Sequence, residues 1–209
     1  MTTHAQPDHA QPDLVAAVRR IREGLPVLTP RCMLRPLTWE DVDPVWSYRR
    51  LPEVARFLAH PPLDRAGAAE LVDRLLTDPH QVTVVVEVDD RVVGDVRLFL
   101  RRSGAKAPAV TEEVEAGIGY AVHPAVQGQG LATEAARAVV DLAFAEGGVR
   151  RITSRVFTPA VASSRLLARI GFTHEGTERA AVLADDGTTW WDDEAWSLLR
   201  EEWAASRAS

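Results

Sequence analysis

The stretch His123-Pro124-Ala125-Val126-Gln127-Gly128-Gln129-Gly130-Leu131-Ala132 holds the residues whose types and spacing could do chemistry. Two glycines one residue apart open directly onto a run, 131–146, in which Leu131, Ala135, Val139 and Leu142 recur at helical spacing. A glycine turn feeding a helix start presents main-chain N–H groups that lack an intrahelical acceptor, at the positive end of the helix dipole. Such a place binds phosphate. Gly128 and Gly130 let a ligand approach the main chain, and Ala132 keeps the first turn low. No Lys-Ser or Lys-Thr follows, so this is not a P-loop, and Thr133 stands where a dinucleotide fingerprint needs its third glycine. With no cation in the motif, the amides of Gln127, Gly128, Gln129, Gly130, Leu131, Ala132 and Thr133 are expected to grip a diphosphate for position.

The elements around that loop follow from period and turn chemistry. Residues 112–122 alternate as a strand, weakened by Ala116, Gly117 and Gly119, and glycines in a strand mark a close approach by backbone or ligand. Arg151 to Phe157 is strand-like, so 112–157 forms a strand-helix-strand unit whose two strands should be parallel. Upstream, Gln81–Val88 and Val92–Leu100 flank Asp89-Asp90-Arg91 as a hairpin. Helices are expected over 14–25, from a cap at Thr38 through Trp46 to Leu51, from a cap at Asp64 through Leu71 and Leu75, and over 162–170. A strand begins at Phe172, and Asp186-Gly187 turns the chain into the last one, Thr189–Leu199.

The chain has 209 residues, which suits one elaborated domain. Four parts are expected: a disordered arm over 1–13, made of a duplicated His-Ala-Gln-Pro-Asp, a helix over 14–25, the main domain over 30–203, and a tail over 204–209. A net charge of −6 argues against a nucleic-acid partner, and no apolar run is long enough to span a membrane. Cys32 is the single cysteine, and Met1 opens onto polar residues, so a cytoplasmic location is expected.

The glycine loop resembles motif A of the GNAT superfamily of acyl-CoA-dependent N-acetyltransferases, whose Gln/Arg-x-x-Gly-x-Gly/Ala is matched by Gln127, Gly130 and Ala132. Residues 30–203 look closest to the branch of ribosomal-protein N-terminal acetyltransferases: Gly119-Tyr120 and His123-Pro124 lead into the motif, and Ser163–Phe172 resembles the branch's serine, helix and closing Gly-Phe. Gly187–Trp203 resembles its final strand. The resemblance implies an α+β (mixed α/β) fold, a single domain with a mostly antiparallel twisted sheet, one splayed parallel strand pair and flanking helices. It implies acetyl-CoA as cofactor and an amine acceptor, either a small molecule or a protein N-terminus, with a homodimer as an option for assembly.

By family analogy the oxyanion would meet a main-chain N–H at Ala121 or Val122, and the pantetheine arm would lie along the strand edge 119–122. The family's usual carboxylate position is Gly117 here, so Glu115, two residues earlier on the same face, is the candidate base, with a solvated strand charge as the rival reading. Ser163 is the candidate donor to sulfur, or simply a helix cap, and His123 shapes its turn. Ala160 replaces the family's usual asparagine. Arg165, with Arg137 and Arg169, could meet the adenosine 3'-phosphate. On the acceptor side stand Trp46, Tyr48, Arg49 and Phe57 of the early helices and Trp190, Trp191, Asp192, Asp193 and Glu194 of the last hairpin, an acidic mouth that would attract a cationic amine. Two alternatives remain: a non-catalytic acyl-CoA sensor that has lost its base, and a nucleotide-binding module for ATP or NAD.

Overall fold

Apolar residues at helical and strand periods each find one partner layer, and the computed structural model describes the result for residues 14–104 and 113–208. The duplicated arm at 1–13 and most of the 103–109 loop lie outside the described residues. The first helix, α1 (Leu14–Glu23), buries Ala17, Val18 and Ile21. Two short strands follow, β1 (Val27–Leu28), which the sequence did not suggest, and β2 (Met33–Pro36). Thr38 donates its backbone N–H to Asp41 Oδ2 at 2.8 Å, and this capping box starts a 3-10 turn that leads into α2 (Val42–Arg49). Pro52 opens a separate short helix, α3 (Pro52–Ala55), because proline suits a first helical turn and not an interior. Asp64 then caps α4 (Arg65–Thr77) by accepting the Gly67 N–H at 2.7 Å.

The hairpin of β3 (Gln81–Val88) and β4 (Arg91–Arg102) turns on Asp89 and Asp90, both at positive φ (48° and 58°), as a right-twisted two-residue turn requires. Then come β5 (Val114–Val122), α5 (Leu131–Ala145), β6 (Val149–Phe157), α6 (Val161–Arg169), β7 (Thr173–Leu183), β8 (Trp190–Leu199) and α7 (Arg200–Ala208). The last helix differs from expectation, since the sequence predicts a strand ending at Leu199, no helix after it and a tail over 204–209. The Glu202 carboxylate accepts the Leu199 N–H at 2.9 Å and starts a helix, and Trp203 docks on Phe144 of α5 with ring centroids 5.3 Å apart.

The eight strands lie in the order β1-β2-β3-β4-β5-β6-β8-β7, and the pairing is antiparallel except between β5 and β6. This is the mixed, mostly antiparallel sheet expected. Its first face carries Leu98, Ile118 and Ile152 against α1, α5 and α6; its second carries Val85 and Ala121 against Val45, Leu71 and Val72 of α2 and α4. Both faces of β3 are covered, which is why it reads as a nearly unbroken apolar run. Among the described residues no helix is long and apolar enough to cross a membrane, and no three His, Cys, Asp or Glu converge as metal ligands.

Candidate active site

The parallel pair is short. β5 is paired with β4 along its whole length, and β6 with β8 from Arg151 to Phe157, yet β5 and β6 pair only from Val114 to Gly117. Past Gly117 the two strands part and leave a gap. Ser154 Oγ donates to the Ile118 carbonyl at 3.1 Å, so the backbone of Ile118 faces β6. Alternation then turns the N–H groups of Tyr120 and Val122 to the gap, whereas His123 donates to Val93 on the opposite side. Of the two candidate oxyanion donors, Val122 therefore faces the gap, and Ala121, opposite Asp95, is turned toward β4.

The glycine loop closes the mouth of this gap. His123 Nδ1 accepts the Ala125 N–H at 3.1 Å and sets up a 3-10 turn, Pro124–Val126. Gln127 donates its side-chain amide to the Val122 carbonyl at 3.3 Å and Gln129 donates to the Ala125 carbonyl at 3.0 Å, so both side chains fold back onto the loop. Gly130 occupies the cap position of α5 with φ 79° and ψ 0°, a left-handed conformation that costs a side-chain-bearing residue about 1–2 kcal/mol. The first amide to find a helical acceptor is Glu134, on the Gly130 carbonyl at 3.0 Å, which leaves Leu131, Ala132 and Thr133 with N–H groups directed out of the helix start.

A cation the motif lacks arrives from elsewhere. Arg31, in the turn between β1 and β2, donates Nη1 to the Gln129 carbonyl at 2.7 Å and ion-pairs with Glu134 at 2.7 Å. Glu134 also accepts from the Thr29 hydroxyl at 2.7 Å. Burial alone would raise the Glu134 carboxyl, but Thr29 and Arg31 together hold it below its ordinary value. No pattern near the loop pointed to Arg31. The only signal was an exposed-type residue flanked by Pro30 and Cys32 in a short segment ahead of the first long strand.

Tyr120 and Ser163 meet inside the fork. The phenol of Tyr120 donates to the Ser163 main-chain carbonyl at 3.3 Å and so ties β5 to the first turn of α6. Burial pushes the Tyr120 pKa to about 12, although the Ser163 contact pulls the other way, and the hydroxyl keeps its proton at neutral pH. Ser163 does not cap α6, because Ala160 holds the cap position and makes no side-chain bond there. Arg165 is exposed on α6, and Arg137 of α5 donates to the Arg169 carbonyl at 2.8 Å, which places those two arginines along one groove beside Gly130.

Glu115 is a correction. It lies at the start of β5, at the end of the strand opposite the gap, and its buried carboxylate is held by Arg150 at 2.9 Å and Arg101 at 3.2 Å. A carboxylate clamped by two guanidiniums there stabilises the strand pair and does not reach the loop. Tyr48 and Arg49 are corrections as well. Neither is exposed at all, and both are bound to Asp95 on β4, the hydroxyl at 2.6 Å and the guanidinium at 2.6 and 2.8 Å. Burial alone would raise Asp95, but Arg49 and Arg97 hold it ionised below its ordinary value, and burial together with that charge pushes the Tyr48 phenol well up.

Trp46 is half-buried on α2 and donates to the Leu63 carbonyl at 3.2 Å. The acidic run of the last hairpin is spoken for. Asp192 accepts the Ala180 N–H at 2.8 Å across a bulge, Asp193 pairs with Arg155 at 2.8 Å, and Glu194 accepts from Ser164 at 2.6 Å and Trp196 at 2.9 Å. Phe57, Phe157 and Trp191 form an aromatic cluster beside it, with centroids 5.9 Å apart from Trp191 to each phenylalanine.

Residues 31–173 match the family model described as an acetyltransferase (GNAT) domain. The chain is 25% identical over 178 residues to the uncharacterized N-acetyltransferase YnaD of Bacillus subtilis, a match covering 85% of this chain and 98% of the relative. In fold it is similar to spermidine N-acetyltransferase from Vibrio cholerae, solved with CoA and spermine, with a TM-score of 0.71 at 17% identity over 84% of this chain and 99% of that one. It is also similar to Mycobacterium smegmatis RimJ, solved with CoA-disulfide, with a TM-score of 0.68 at 21% identity over 82% and 83%.

Proposed function

Because the chain belongs to the GNAT acetyltransferase family and is an acetyl-CoA-dependent acetyltransferase, we propose that it acetylates a primary amine, on a small molecule or a protein N-terminus, by direct attack in the gap past Gly117. Acetyl-CoA supplies an activated acyl thioester. The observation that carries the reading is one juxtaposition: the outward N–H groups at the start of α5 stand at the mouth of the strand edge that β6 leaves unpaired.

The amides of residues 127–133 seat the diphosphate, with the helix dipole and Arg31 adding positive potential. Tyr120 offers its main-chain groups to an extended pantetheine, and Val122 offers its N–H to the carbonyl oxygen as that oxygen gains charge. As the C–N bond forms and the C–S bond breaks, the sulfur takes a proton, for which Ser163 and Tyr120, joined where β5 meets α6, are the candidate donors. The carboxylates of Asp95, Glu115 and Asp193 are ion-paired, and the His60 ring is pushed below its ordinary pKa by burial, its Nε2 lying 3.0 Å from Arg49. The acceptor therefore enters as the free amine, and its surplus proton leaves to water. A cytoplasmic setting suits this reading, with Cys32 a buried free thiol.

Incubation with acetyl-CoA and a panel of amines, with coenzyme A release followed by a thiol reagent, tests it. Release that requires an amine is the expected result. Calorimetric binding of acetyl-CoA with no release across the panel would overturn it.

A further inference from the structure

The second face of the sheet carries a guanidinium that shares its one carboxylate partner with another, and this bears on the acceptor. Arg97 of β4 is only 15% exposed in its side chain, and its Nε is sealed from solvent with no hydrogen-bond partner. Asp95 lies 3.4 Å from that nitrogen. Asp95 already takes both bonds from Arg49 and one from the Tyr48 hydroxyl, so its single charge is matched by Arg49. Two guanidiniums and one carboxylate leave a surplus cation in a mostly buried cluster. That arrangement is costly unless an anion completes it.

The space beside Arg97 is open. Its strand partner on β5 is Gly119, and a Cβ there would meet nothing nearer than Phe99 Cε2 at 3.9 Å; at Gly117 the nearest atom is Phe99 Cδ2 at 3.7 Å. Phe99 is 37% exposed and lies 5.7 Å under the Arg97 guanidinium. Two side-chain-free residues thus lie under the Phe99 ring, beside Arg97 and on the strand that borders the gap. On the far bank the carboxylates are committed. Asp193 Oδ1 has no hydrogen bond and its Oδ2 shares Arg155 with Glu178, while Asp192 and Glu194 hold the partners given above.

We propose that Arg97 receives a carboxylate of the acceptor, so that the substrate of the acetyltransferase reading is a free α-amino acid rather than a polyamine or a neutral amine. Arg97 leans toward Asp95, which is opposite Ala121, and adjacent strands are about 5 Å apart. A carboxylate held by Arg97 would stand on the second face one strand away from the gap. A carboxylate suits one planar guanidinium, whereas a phosphate dianion would call for more than one free cation. The exposed Phe99 ring gives an apolar contact for the substrate's carbon side.

The test compares glycine, alanine, phenylalanine and methionine, each against its carboxamide, by kcat/KM per free amine and by calorimetric binding to protein saturated with coenzyme A. The free acids are expected to win by about 10–100-fold, the worth of one hydrogen bond to a charged group. Arg97→Gln should erase that ratio in both kcat/KM and binding, and Arg97→Lys should restore part of it. Equal handling of acids and carboxamides by the unaltered protein, or an unchanged ratio in Arg97→Gln, overturns the proposal. If no amine of any kind is acetylated, the acetyltransferase reading fails instead, and the acid-over-carboxamide binding ratio still decides the role of Arg97.

Discussion

Glu134, in the first turn of α5, holds the Arg31 guanidinium at 2.7 Å, and through it the carbonyl of Gln129 is pinned away from the helix axis at 2.7 Å. The glycine loop ahead of α5 is thereby braced by a segment nearly a hundred residues earlier in the chain.

Removing that brace should loosen the seat more than the fold. Arg31→Ala is expected to raise the KM for acetyl-CoA severalfold with kcat nearly unchanged. The melting temperature should drop little, because a half-exposed ion pair contributes about 0–1 kcal/mol. Steady-state kinetics with a thermal melt checks this, and an unchanged KM would remove Arg31 from the seat.

Gly130→Ala tests the left-handed cap. The new Cβ would lie 3.5 Å from Arg31 Nη2, an ordinary contact, so the cost is conformational, about 1–2 kcal/mol. Weaker coenzyme A binding in calorimetry should accompany it. Full affinity in the variant would mean the loop does not hold the diphosphate.

The Asp95 cluster should dominate stability on the second face. Asp95→Ala strands two guanidiniums, and breaking a buried pair from one side costs about 3–5 kcal/mol. Tyr48→Phe removes one hydrogen bond to a charged group and should cost about 1.5–3 kcal/mol. Urea titrations give both numbers, and near-neutral values would show that the cluster is soft.

Acid sensitivity should pass through Asp41. Burial alone would raise this carboxyl, but two bonds from Arg35 (2.8 and 2.9 Å) and the Thr38 N–H hold it below its ordinary value. Since the folded value is the lower one, the stability it contributes is complete above the unfolded pKa of about 4 and is lost as pH falls through the folded value. Asp41→Asn should therefore be less stable at pH 7, with the difference shrinking below about pH 4 as the native carboxyl protonates. A constant difference across denaturation curves from pH 3 to pH 7 would contradict this.

Turnover should follow the acceptor's own ionisation. With the carboxylates of Asp95, Glu115 and Asp193 ion-paired, log kcat/KM is expected to climb with pH up to the pKa of whichever amine is supplied, shifting when the amine is changed. Glu115→Gln should keep that profile and lose stability, because Arg101 and Arg150 would lose their shared anion. A plateau at one fixed pH for all amines would reveal a protein base.

Several elements were legible in sequence because each depends on neighbours within a few residues. Asp64 caps α4, Asp89-Asp90 turns the first hairpin, and the apolar stripe from Leu131 gives α5, all from local geometry. The glycine loop belongs to this class, since a left-handed Gly130 and outward amides are properties of a strand-to-helix turn. The roles of Glu115, Tyr48 and Arg49 were not legible: face and spacing placed them near a site, whereas partners far off in sequence, Arg150 and Asp95, consumed them.

What the sequence determined alone was the order of elements, the family pattern and the outward amides at the start of α5, because backbone donors and glycine dihedrals need no distant partner. The tertiary structure decided which charges are spent and which are left. Arg31 came to the loop, Asp193 of β8 was paired with Arg155, and Arg97 was left to share Asp95 with Arg49. The balance of a charge depends on every group folded against it, and that balance exists only once the sheet has brought β4, β5, β6 and β8 side by side.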